Sequence, residues 1–87
     1  MALSNKLEEK LNKTYPAKTR IDDVFKGYDI TFITNDLGEP VTLFIGKRRE
    51  DGAIKGERYV RKIVRSEDGS TILKSHWDNK GKVTSGW

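Results

Sequence analysis

The sequence predicts a mainly β (α+β) fold. An N-terminal amphipathic helix precedes a five- to six-stranded antiparallel meander, formed as a curled sheet or a small, partly open barrel. Three observations lead there. Leu3, Leu7 and Leu11 recur at four-residue spacing, which draws one apolar stripe along a helix. From Lys18 onward, short β-branched and aromatic runs alternate with turn signals, the texture of strands. The connections between those runs are so short that neighbouring runs must pair antiparallel.

The helix is expected over about residues 3–13. Ser4 or Asn5 can cap its start, and Asn5 followed by Glu8 has the spacing of a capping box. Pro16 stops it, because the residue before a proline is pushed out of the α region. Strands follow near 19–25, 28–34, 41–48, 57–66 and 70–77, with a short sixth near 82–85. The turns between them are Lys26-Gly27, Asn35-Asp36-Leu37-Gly38, Asp51-Gly52, Asp68-Gly69 and Asn79-Lys80-Gly81. Residues 1–87 form a single domain.

Turn chemistry also predicts register. A two-residue loop at Asp68-Gly69 sets Val64 opposite Leu73 and Val60 opposite Trp77. A loop centred on Asp51-Gly52 sets Val60 opposite Leu43, and one centred on Leu37-Gly38 sets Leu43 opposite Phe32 and Ile45 opposite Ile30. One apolar face results: Ile30, Phe32, Val41, Leu43, Ile45, Val60, Val64, Leu73 and Trp77. Lys62 and Ser75 interrupt it, so a bulge or a barrel rim is expected there. Because side chains alternate, a one-residue slip in any strand would scatter the set.

The opposite face then gathers Phe44, Tyr59, Arg61, Arg65, Lys74 and His76 among Ile63 and Ile72. Arg61 faces His76, Ile63 faces Lys74, Arg65 faces Ile72 and Phe44 faces Tyr59. Lys47, Arg48 and Arg49, with Lys55 across the turn, extend the positive charge along one edge. Cations beside flat rings are what single-stranded nucleic acid requires, and arginine both stacks and pairs with phosphate. Charge is distributed to match. Residues 1–45 carry six basic and seven acidic side chains, net −1, and residues 46–87 carry eleven and six, net +5. Such asymmetry points to an anionic partner. The competing reading is a plain solvated face, where long Lys and Arg stems cover apolar neighbours.

Other chemistry is not legible. The chain has no cysteine, which removes disulfides and thiolate metal sites. His76 is the single histidine, so no histidine pair can hold a metal. Asp22 and Asp23 are adjacent strand residues pointing to opposite faces, and Glu50-Asp51 and Glu67-Asp68 fall in turns. No glycine pattern makes a phosphate loop, and Ser70 and Thr71 lack a basic partner. No cofactor is implied, and the reading argues against an enzyme. No apolar run reaches the roughly 20 residues of a membrane helix, and the first residues do not form a secretory signal; a cytoplasmic protein without membrane partners is the default expectation. Trp87, the last residue, is expected to fray or to fold back onto the sheet. At the level of fold the pattern resembles many small β-barrels, OB-like and SH3-like among them, which implies no function.

The expected function is therefore a small non-enzymatic binding module. Its basic and aromatic sheet face would take single-stranded nucleic acid or an acidic protein. The alternative is a structural or protein–protein interaction domain, a homodimer among the options, using the same face.

Overall fold

Chain reversals here depend on glycine, and each is of a definite kind. At Lys26-Gly27 both residues have positive φ, 48° and 84°, and the flanking Phe25 and Tyr28 pair directly. This is the two-residue turn whose twist matches that of the strands it joins. In the next three reversals only the glycine is left-handed: Gly38, Gly52 and Gly69. Each donates its N–H to the residue three before it, to Asn35, Arg49 and Ser66 respectively. These are type I turns followed by a left-handed glycine, and they make loops longer than two residues. Arg49 N–H donates to Ala53 O (2.7 Å) and Asn35 N–H to Glu39 O (3.0 Å), closing three-residue loops.

In the computed structural model, which describes residues 4–85 without the side chain of Ser85, these turns separate one helix and five strands. They are α1 (Asn5–Leu11), β1 (Arg20–Phe25), β2 (Tyr28–Thr34), β3 (Pro40–Arg48), β4 (Ile54–Arg65) and β5 (Ile72–Ser85). The strands form one antiparallel sheet in the order β1-β2-β3-β4-β5. The sheet is a meander and does not close. The sixth strand is absent as a separate element. Asn79-Lys80-Gly81 is a bulge inside β5, with two residues, Lys80 and Gly81, standing opposite Arg58. The Asn79 carboxamide oxygen holds Gly81 N–H at 2.7 Å, and Gly81 takes a φ of 96°.

The helix is shorter than its leucine spacing suggests, seven residues, and its apolar side consists of buried Leu7 and Leu11; Leu3 and Trp87 lie outside the described residues. Ser4 is the cap, its hydroxyl accepting from Leu7 N–H at 3.2 Å. The helix ends at Asn12, well before Pro16. Tyr15 takes over the open end, its hydroxyl donating to Lys10 O at 2.8 Å. Lys10 also reaches Asp23 on β1 at 2.6 Å.

The core lies between α1 and one face of the sheet: Leu7, Leu11, Ile30, Phe32, Leu43, Tyr59 and Trp77, with Tyr15, Ile21, Phe25 and Ile45 packed around it. Tyr15 meets Phe32 edge to face at 4.9 Å between ring centroids. Ile30, Phe32, Leu43, Ile45 and Trp77 fall on the expected side. Val60 does not, and Val64 and Leu73 are 45% and 63% exposed. The cause is the turn. The loop at Arg49–Ala53 holds three residues, so β4 slips by one against β3: Leu43 pairs with Tyr59, and Val60 with Thr42. A second irregularity restores β5. Arg65 pairs with Ile72 as expected, but Val64 pairs with Lys74, leaving Leu73 as an extra residue. Trp77 returns to the core, opposite Arg61.

Between β3 and β4, Gly46 pairs with Gly56. A Cβ on Gly56 would lie 2.0 Å from Ile45 O, and one on Gly46 2.2 Å from Lys55 O. Only glycine permits the two strands to approach this closely.

Candidate functional site

The slip of β4 dismantles the expected basic and aromatic face. Arg61 turns into the core side and is 8% exposed. Its Nε donates to Ser75 Oγ at 2.6 Å, and its two terminal nitrogens donate to Pro40 O and Asn12 Oδ1, both at 3.3 Å. Its guanidinium sits 5.9 Å from the Trp77 ring centroid. Burial lowers its pKa, with nearby Glu39 working the other way. Arg61 thus ties the helix end to β3 and β5, and no partner can reach it. Tyr59 is 2% exposed. Its hydroxyl donates to Glu57 Oε2 at 3.3 Å, and burial raises its pKa. Phe44 keeps the outer face but is fully buried, paired with Arg58 rather than Tyr59. Neither ring is a stacking platform.

Two further cations are engaged. Arg65 forms an ion pair with Glu39, which also accepts from Asn35 Nδ2 at 3.0 Å. Arg48 crosses the outer face, donating to Thr31 Oγ1 (2.9 Å), Ile30 O (2.8 Å) and Asp22 Oδ1 (3.2 Å). Arg20 braces the same carboxylate at 2.8 Å. Asp22 and Asp23 do face opposite ways, Asp22 to these arginines and Asp23 to Lys10.

Lys74 and His76 point outward and are exposed, because the two shifts cancel in β5. Their β4 neighbours are new: Lys62 stands opposite His76, Val64 opposite Lys74, and Arg58 opposite the Lys80-Gly81 bulge. Asp78, opposite Val60, is the one carboxylate among these positions, and it lies 2.9 Å from His76 Nε2. Among the described residues, Arg58, Lys62, Lys74 and Lys80 have no ion pair. Sequence reasoning missed Arg58, Lys62 and Lys80. The signal was present in Lys62, a charged residue that spoiled the expected apolar set. A phase that turns Lys62 outward turns Arg61 inward.

A second group of cations sits at the other end of the hairpin, on the helix side of the sheet. Lys47 pairs with Lys55, and Lys55 with Thr84, in one row across three strands. The adjacent row is Ile45, Glu57 and Lys82. Lys47, Lys55, Lys82 and Thr84 are all exposed. The sequence placed Lys47 and Lys55 along one edge; they lie on the helix side of the sheet, because they share the parity of Leu43 and Tyr59. Lys55, Gly56, Glu57, Lys82, Val83 and Thr84 line an open groove of about 540 Å³. Arg49 is exposed in the neighbouring loop.

Another groove, of about 530 Å³, opens between α1 and the sheet, with walls from Leu7, Phe25, Tyr28, Ile45 and Tyr59. Lys26 stands at its rim, 5.6 Å from the Phe25 ring centroid. Among the described residues no group of three His, Asp or Glu side chains is placed to hold a metal ion. No helix among them is long and apolar enough to cross a membrane. No family model matches this chain, and no curated protein or solved structure matches it.

Proposed function

We propose that this chain is a non-enzymatic binding module that holds an anionic partner, most simply nucleic acid, across the outer face of the β4–β5 hairpin. The observation that carries this reading is the group of Arg58, Lys62, Lys74 and Lys80 on one face, four exposed or half-exposed cations with Asp78 as the one carboxylate among the facing positions. Lys62 faces His76, Lys74 faces Val64 and Arg58 faces the Lys80-Gly81 bulge, so four cations share one face at neighbouring positions and add to one positive field. A polymer of phosphates matches that field. With Phe44 and Tyr59 inside the protein, contact runs through phosphate charge.

Four neutralised phosphates on a single strand give a slope of about −2.8 in log K against log salt, since each contributes about −0.7. The test is a titration of the full chain with a single-stranded oligonucleotide at several salt concentrations, followed by NMR of backbone amides. Shifts should centre on residues 58–64 and 74–80. Lys62→Gln with Lys74→Gln should flatten the slope by about 1.4. An absence of shifts, or a slope unchanged in the double variant, rejects the proposal.

A second reading rests on the apolar end of the same hairpin, where Val64, Ile72 and Leu73 are 45%, 41% and 63% exposed. Exposed apolar side chains gathered at one end of a hairpin are a surface on which protein partners meet. Sedimentation of the wild type against Leu73→Asp separates a self-associating chain from a monomer.

A further inference from the structure

We infer that the row Lys47, Lys55 and Thr84, with Lys82 beside it, is a second binding site, one that takes the phosphate group of a small phosphorylated ligand. It is separate from the outer-face surface by construction. Strand alternation sends Lys55 to one side of the sheet and Arg58 and Lys62 to the other.

Three observations converge. Lys47 and Lys55 are directly opposite each other across β3 and β4, a like-charge pair that is destabilising by itself and that an anion lying between or above them relieves. Neither is in an ion pair among the described residues. Glu57, opposite Lys82 in the adjacent row, is the one carboxylate lining the groove, and one of its oxygens accepts Asn79 Nδ2 at 2.6 Å and the Tyr59 hydroxyl at 3.3 Å. Among the described residues, neither Lys55 nor Lys82 is in an ion pair. The Thr84 hydroxyl completes the row as a neutral donor. Lysine ammonium groups with a hydroxyl donor suit a phosphate, which offers several acceptor oxygens to point charges.

The groove supplies the remainder of the site. Its open volume of about 540 Å³ leaves room beside the lysine row for a ligand larger than phosphate itself. Gly56, in the groove wall, presents backbone and no side chain, and its partner Gly46 lies directly across the strand pair.

The experiment is an NMR titration of the full chain with inorganic pyrophosphate, at ionic strength held constant with sodium chloride. Saturable shifts at Lys55, Lys82 and Thr84 are expected. Lys55→Gln should weaken them at least tenfold, and Lys62→Gln should leave them unchanged. Lys55→Gln relieves a like-charge pair, so a preserved amide spectrum verifies its fold. Lys47→Gln provides an independent second variant on the same row. Equal shifts with chloride alone, or wild-type titration by both lysine variants, overturn the inference. A single-stranded oligonucleotide added in parallel separates the sources. Shifts at Lys55 with the oligonucleotide but not with pyrophosphate would assign the row to a polymer and overturn the small-ligand class. Failure of the outer-face titration alone leaves this site standing, because its readout is confined to other residues.

Discussion

Replacing Arg61 with alanine tests the strand phase on which both surfaces depend. The side chain is 8% exposed and makes one short hydrogen bond, 2.6 Å to Ser75, and two long ones of 3.3 Å. A charge-assisted bond contributes about 1.5–3 kcal/mol, and long bonds much less. Losing the short bond, the weak pair and the stem packed near Trp77 should cost about 3 kcal/mol in all. For a chain of this size, that corresponds to roughly 12–24 °C in Tm. Lys62→Ala, one residue along and on the outer face, should stay within about 0.5 kcal/mol. Urea unfolding followed by far-UV circular dichroism measures both. Arg61→Lys keeps the charge but loses the three-pronged geometry, and should fall between them. If Lys62→Ala costs more than Arg61→Ala, β4 is phased the other way and the two cationic surfaces described here do not exist.

Two further outcomes follow from the packing. Gly56→Ala places a methyl group 2.0 Å from Ile45 O, and separating the strands should cost about 2 kcal/mol or more by the same assay. Asp23 lies below its ordinary pKa of 3.8, first because of its bond to the Lys10 ammonium and then because of Val24 N–H, while Lys10 is raised above 10.5 by the same contact. The Asp23 contribution is present above pH 3.8 and is lost as pH falls through its lowered value. The Lys10 contribution is present below 10.5 and is lost as pH rises through its raised value. Both side chains are about a third exposed, so Asp23→Asn should cost only about 0.2–1 kcal/mol at neutral pH. Denaturation midpoints of variant and wild type should converge in strong acid; a difference that persists there refutes the assignment.

What the sequence reveals about this fold depends on which errors cancel. The β2–β3 register was legible, with Leu43 opposite Phe32 and Ile45 opposite Ile30. Its loop is centred on Leu37 rather than between Leu37 and Gly38, which shifts the register by one residue, but an extra residue at Val41 compensates. β3–β4 has no such correction, so β4 alone carries the one-residue error. An Asp-Gly pair suits both a tight two-residue turn and a longer loop ending in a left-handed glycine. The deciding quantity is the backbone of the preceding residues, which side-chain identity does not set. The outward placement of Lys74 and His76 and the pairing of Lys55 with the Lys47 strand were therefore readable, whereas Arg61 and Tyr59 were placed on the wrong side. The bulge at Leu73 was equally hidden, because an exposed leucine and a buried one look alike in a list of residues.

Among the described residues, the 14-residue β5 strand is an edge of the sheet, paired on one side only with β4. Such a border offers a row of amide groups on which another chain can add, the first step toward fibrils. Two interruptions, at Leu73 and at Lys80-Gly81, break that row into short lengths, and Lys74, Lys80 and Lys82 impose repulsion along it. The same lysines therefore serve solubility as well as any ligand. Variants that neutralise several of them at once should be handled dilute, because loss of binding in such a preparation can reflect stacking of the protein on itself.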